Sequence, residues 1–210
     1  AGSATPRSVR GSPHVNERYD LCVIGSGPAG QRAAVQAAKI GRRVCVVERR
    51  EVVGGVAINT GTIPSKALRE AVLHFTGFRH RGVYGRTYAV KKDVTIEDLT
   101  YWCQHVISNE VTVTADQLER NDVDVLYGTA SFAGPHTIRI RHGGDEDEIE
   151  AEHVIIATGT RPSRPDNIRF DATHIVDADG ILNLPRLPRT MVVVGGGVIG
   201  TEYASMMQAL

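Results

Sequence analysis

Between an apolar run, Leu21 to Ile24, and a stretch of small residues stopped by Gly41, the chain carries Gly25-Ser26-Gly27-Pro28-Ala29-Gly30. Glycines at this spacing answer three separate needs. Gly25 permits a tight turn, Gly27 lets backbone approach a pyrophosphate, and Gly30 lets a helix pack close to a strand. The helix that follows offers free N–H groups and the positive end of its dipole. Val44 to Val47 then reads as a second buried strand ending at Glu48, 18 residues after Gly30. A carboxylate there can accept both hydroxyls of an adenosine ribose and repel a 2′-phosphate. Strand, glycine turn, helix and strand within about 30 residues form a right-handed βαβ unit.

Glycine is the compositional outlier, 22 of 210 residues, against an average usage of about 7%. Its residues cluster rather than repeat. Lys+Arg and Asp+Glu balance at 24 each, which argues against a domain that gathers nucleic-acid phosphates. No apolar run approaches the roughly 18 residues of a membrane-spanning helix. Cys22, Cys45 and Cys103 form neither a CxxC nor a metal spacing, so a reducing, cytoplasmic compartment is the simpler expectation. His74, His80, His105 and His153 show no HExxH spacing, and no metal is expected. Ser26 and Ser65 lack a G-x-S-x-G context.

The length predicts about 1.4 domains. Residues 1–18, rich in Ser, Gly, Pro and Arg, read as a flexible tail. Residues 49–61 read as a glycine-rich loop, followed by a helix with Pro64 near its start. Residues 77–92 read as surface loop. Thr95 with Asp98 resembles a capping box opening a long helix to about Arg120. Val123 to Tyr127 reads as a strand. Segments 129–132, 137–141 and 148–151 read as a small antiparallel meander, with the acidic run 144–148 as a solvated hairpin tip. His153 to Ala157 reads as a further buried strand running into Thr158-Gly159. A Pro-rich connector, 163–190, leads to a β run at Val192–Val194 and a second glycine turn, Gly195, Gly197 and Gly200. Its ribose acid would lie beyond residue 210.

Gly54-Gly55-Val56-Ala57-Ile58-Asn59-Thr60-Gly61-Thr62-Ile63-Pro64-Ser65-Lys66, ATGTRP at 157–162 and GGGVIGTEYA at 195–204 join the first glycine turn in a larger pattern. With these motifs the chain, from Tyr19 onward, resembles the FAD-dependent pyridine-nucleotide oxidoreductases, the group of dihydrolipoamide dehydrogenase and glutathione reductase. The resemblance implies an α/β, Rossmann-like FAD-binding domain over 19–162, with a parallel sheet and a small antiparallel meander. It also implies that 191–210 begins a second, NAD(P)-binding domain. Gly25, Ser26, Gly27, Pro28, Ala29 and Gly30 would hold the FAD pyrophosphate and Glu48 its adenosine ribose. Arg49, Gly54, Gly55, Val56, Ala57 and Gly61 would line the cofactor. Thr62 and Lys66 would stand near the flavin, Ala130 would meet adenine, and Thr158 and Gly159 would close over the cofactor. Partners would be nicotinamide nucleotides rather than nucleic acid or membrane, in a homodimer formed through a further domain.

The chain also departs from that pattern. The disulfide-reductase branch carries two cysteines in this loop as C-x₄-C, where this chain has Ala57 and Thr62. Neither can form a thiolate or a mixed disulfide, so dithiol exchange at this loop is excluded. GTIPSK, with Thr62, resembles the soluble pyridine nucleotide transhydrogenases, whose reaction needs no thiol, although those enzymes often keep a cysteine at the position of Ala57. The implied activity is hydride transfer from NADPH to NAD⁺ through flavin, with these 210 residues alone inactive. The alternatives are a diaphorase-like relative of dihydrolipoamide dehydrogenase and a noncatalytic FAD-binding fragment.

Overall fold

The structure, a computed structural model, describes residues 17–210. The expected tail therefore falls outside the described residues except at its end, where Arg18 already belongs to the first strand. The chain divides into two units, each with its own core.

The first unit comprises 17–55 and 111–159. Its sheet is built from β1 (Arg18–Ile24), β2 (Val44–Glu48), β3 (Asp124–Tyr127), β4 (Thr129–Phe132), β5 (Thr137–His142) and β6 (Asp145–Ile156), in the order β3-β2-β1-β6-β5-β4. β3, β2, β1 and β6 run parallel, with Cys22 opposite Cys45 and Val154. β4, β5 and β6 pair antiparallel. Alternation along the strands sends Leu21, Val23, Val44 and Val46 to one face, where Ala34 and Val35 of helix α1 (Pro28–Lys39) pack with Leu118 and Val123. Cys22, Cys45 and Val47 go to the other face, where they pack with Tyr19 and with Ile138, Ile140 and Ile149 from the antiparallel strands. β1 and β2 are buried on both sides, which is why they read as unbroken apolar runs, whereas the expected buried strand at 153–157 is not buried, Ile156 being 66% exposed.

The second unit comprises Val56–Glu110 and Thr160–Leu210. It contains most of helix α2 (Gly55–Asn59), α3 (Thr62–Phe75), a 3₁₀ turn at Phe78–His80, the single turn α4 (Arg81–Tyr84), the first part of α5 (Ile96–Glu119), a 3₁₀ segment at Ala178–Asn183 and α6 (Val198–Ala209). Leu68 and Val72 from α3, Leu99 and Cys103 from α5, Ile181, and Tyr203 and Met206 from α6 form its core. The capping box is present and reciprocal. Thr95 N–H donates to Asp98 Oδ2 at 2.8 Å and Asp98 N–H donates to Thr95 Oγ1 at 3.3 Å.

The structure differs from the sequence reading in four places. The loop 49–61 contains α2, a helix too short to show a period. Residues 78–84 coil into the 3₁₀ turn and α4 rather than open loop. The acidic tip and the two segments 148–151 and 153–157 are one long strand, β6, in which Glu146 and Glu148 pair with Arg139 and Arg141 of β5. Cross-strand ion pairs of this kind let an acidic run lie in a sheet. Val192–Val194 forms no strand. No described strand pairs with it, and Val192 and Val194 are 89% and 92% exposed. An extended segment without a partner leaves its N–H and C=O groups unpaired, so periodicity alone does not make it a strand.

Candidate nucleotide-binding site

Gly25 leaves β1 with φ +108°, and a Cβ at this position would run into the carbonyl oxygen of Ala157, which follows β6. Both the backbone angle and the contact select glycine. A Cβ on Gly30 would collide with the Gly25 carbonyl oxygen. These two glycines therefore lock the turn between β1 and α1. Gly27 differs: a Cβ there would meet nothing within 4 Å. It is the N-cap of α1 with extended backbone and no side-chain cap, and Pro28 and Ala29 beyond it are exposed. The first turn of α1 thus has no side-chain cap, as an anion site requires, while Gly55 comes close to the Gly27 backbone from the other side, where a Cβ on Gly55 would lie 2.8 Å from Gly27 Cα.

Glu48 ends β2 beside this turn and is 7% exposed. Its Oε2 accepts from Ser26 N–H at 3.0 Å and from the Ser26 hydroxyl at 2.5 Å, and its Oε1 accepts from Arg50 N–H at 2.9 Å. Tyr127, its register partner on β3, has its phenol raised above the ordinary range by burial and then by the Glu48 charge. The Gly54 N–H donates to Ser26, drawing the loop after β2 onto the turn. Gly128 N–H donates to the Glu48 carbonyl at 2.9 Å, which brings the start of β4, with half-buried Ala130, to the same end of the sheet. Ala157 N–H donates to the Ile24 carbonyl at 2.8 Å, so exposed Thr158 and Gly159 continue from the strand end next to Gly25.

The first unit thus gathers Gly25 to Gly30, Glu48, Gly54, Gly55, Ala130, Thr158 and Gly159 at the C-terminal ends of parallel strands, where ligands of open α/β sheets bind. Arg49 is exposed in the loop after Glu48. Sequence reasoning missed Arg50 and Gln31, whose Nε2 donates to the Ser26 carbonyl at 2.8 Å. Arg50 acts through its backbone, which no motif reveals.

In the second unit, Val56 and Ala57 lie in α2, half-buried, and Gly61 caps α3. Thr62 and Lys66 are exposed on the first two turns of α3, while Ser65 is buried with its hydroxyl donating to the Thr62 carbonyl at 3.2 Å. The second glycine turn repeats the first. Gly195 has φ +119°, a Cβ on Gly200 would crowd the Gly195 carbonyl oxygen, and Gly197 is the uncapped N-cap of α6 with open space around it. A hollow of about 400 Å³ in this unit is lined by His74, His80, Tyr101 and Trp102 among others, none of them a residue the motifs point to. Among the described residues no group of His, Cys, Asp and Glu could hold a metal ion. Among them also, no helix is long and apolar enough to cross a membrane.

A βαβ turn open at Gly27, backed at Gly25 and Gly30, and flanked by an acid at the end of β2 defines a dinucleotide-binding α/β protein. The family described as Pyridine nucleotide-disulphide oxidoreductase matches residues 19–210, and the chain belongs to that family. It is 53% identical over 194 residues to the soluble pyridine nucleotide transhydrogenase of Mycobacterium tuberculosis, and 40% identical over 193 residues to that of Colwellia psychrerythraea. These alignments cover 91% of this chain but 42% and 41% of those proteins, so the chain spans about two fifths of the length of the curated relatives it matches. The Cu(II) complex of the HOCl-induced flavoprotein disulfide reductase RclA from Escherichia coli is similar in structure. Its TM-score is 0.76 at 29% identity, covering 92% of this chain and 40% of that one.

Proposed function

We propose that this chain is the FAD-binding part of a flavin-dependent transhydrogenase that moves hydride from NADPH to NAD⁺ without a redox disulfide. In this reading 19–162 is the first segment of the FAD domain, 163–190 a connector and 191–210 the beginning of an NAD(P) domain. The observation that carries it is the combination of a nucleotide turn with a loop that holds no thiol. Ala57 and Thr62 stand where a dithiol relay would need cysteines, and Cys22, Cys45 and Cys103 are buried in the two cores. The 53% identity to a soluble pyridine nucleotide transhydrogenase supports the same branch.

The chain's residues would act by binding and orientation. Gly27 and the first N–H groups of α1 would take the pyrophosphate, because a Cβ at residue 27 would meet nothing and no side chain caps the helix. Glu48 would hold the adenosine ribose, and Ala130 would approach adenine. Thr158 and Gly159 would limit access of water from the β6 end. Lys66 would set a cation beside the isoalloxazine ring and favour its negatively charged form, with Thr62 nearby. Bound FAD supplies a two-electron carrier able to take hydride from one nicotinamide and give it to another. The working enzyme would be a cytoplasmic homodimer with nicotinamide nucleotides as its small-molecule partners.

Absorbance of the purified chain tests the first part: flavin bands that co-purify or return on adding FAD support the site, and their absence at saturating FAD overturns it. In a protein of its relatives' length, NADPH-dependent reduction of thio-NAD⁺ should proceed without added dithiol. Rapid lipoamide turnover there would overturn the reaction assigned.

A further inference from the structure

Ser26 is the point at which three segments of the first unit meet. Its amide and its hydroxyl both donate to Glu48 Oε2, its hydroxyl oxygen accepts from Gly54 N–H at 3.0 Å, and its carbonyl accepts from Gln31 Nε2. The residue is fully buried, at 0% exposure. A serine at the second position of a glycine turn needs none of this to make the turn. Its side chain is spent on the acid at the end of the next strand.

The consequence follows from counting acceptors. A carboxylate offers about four lone-pair positions, two on each oxygen. Ser26 takes both on Oε2, and Arg50 N–H takes one on Oε1. One remains, on Oε1. Resting on the proposed adenosine ribose at this turn, we infer that Glu48 holds a single ribose hydroxyl, through Oε1, and that Ser26 is the positioning residue that withholds Oε2 from the other. An unrestrained carboxylate would grip both hydroxyls of the vicinal pair.

The Ser26 hydroxyl therefore sets how the ribose is read. Removing it while keeping the backbone amide returns one acceptor position to Oε2. The second hydroxyl then gains a partner that the native chain denies it.

Calorimetric titration of the chain with ADP, 2′-deoxy-ADP and 3′-deoxy-ADP tests this without any substitution. One deoxy analogue is expected to bind about tenfold or more weaker than ADP, the scale of a lost hydrogen bond to a charged acceptor, and the other within about twofold. In Ser26→Ala, the analogue tolerated by the native chain should become discriminated as well. A purely structural role for Ser26 would weaken all three ligands together and leave their ratios unchanged, which would overturn the positioning role. Equal, large losses for both analogues in the native chain would overturn the inference while leaving the ribose reading intact. Failure to bind ADP, or indifference to both hydroxyls, would overturn the ribose reading and the inference with it. If Ser26→Ala does not fold, the native-chain comparison still decides between one hydroxyl and two.

Discussion

The carbonyl oxygen of Gly25 occupies the place where a side chain on residue 30 would have to begin. That relationship ties the turn to the first helix. Gly27, between them, touches nothing where its Cβ would stand. Two glycines of one motif thus serve the fold, and the third has no packing reason to be glycine. Gly30→Ala should cost about 1–3 kcal/mol or more through overpacking, read as a lower urea midpoint. Gly27→Ala should leave that midpoint nearly unchanged yet weaken FAD binding, measured by flavin fluorescence quenching. A large stability loss at residue 27 would contradict this division.

The three thiols should be silent in the folded protein. Burial raises Cys45 well above the ordinary thiol range, helped by its hydrogen bond with Cys22, and pushes Cys103 up to about 11. Only the thiolate attacks a disulfide reagent. At pH 8 an aromatic disulfide such as Ellman's reagent should react slowly with the native chain and rapidly with three thiols after denaturation. Fast reaction of one thiol in the native protein would place a reactive cysteine that the buried cores do not allow.

Asp98 should stabilise the start of α5 only when ionised. The Lys91 ammonium, then the Thr95 amide and hydroxyl, hold its carboxyl below the usual range. A depressed value means stabilisation that is present above the unfolded value near 3.9 and lost as pH falls through the folded value. Asp98→Ala should therefore lower the urea midpoint at pH 7, and the gap from the native chain should narrow below about pH 4. A gap independent of pH would show that the charge is irrelevant.

Burial decides between neighbours on one helix. Leu99 is 0% exposed in the second core, and Tyr101, two positions on, is 78% exposed. Leu99→Ala should cost about 2–5 kcal/mol and Tyr101→Ala less than about 0.5 kcal/mol, both from equilibrium unfolding. Comparable losses at the two positions would mean that Tyr101 is covered in solution.

Local chemistry was legible in the sequence. Gly30 answers a need set within a few residues, the carbonyl of Gly25, and Thr95 with Asp98 closes its own capping box. Glu48 was legible because strand length and helix length fix where β2 ends. What escaped depends on partners distant in sequence. Glu146 and Glu148 looked solvated until β5 supplied Arg139 and Arg141. Val192–Val194 looked like a strand because three valines in a row read as one, whereas a strand is made by its neighbours. The Ser26–Glu48 bonds depend on a rotamer that no spacing encodes.

β6 is the last of the described strands, yet it lies directly beside β1, the first of them. Pairing strands so far apart in sequence closes a long loop before contacts reward it, and such topologies fold slowly. β1, α1 and β2 can assemble early as a local unit, but the Ala157 carbonyl that backs Gly25 arrives only when β6 docks. During synthesis the turn at Gly25 therefore exists first with one wall missing. On the proposed reading, a flavin offered to the emerging chain would wait for β6 to complete its seat.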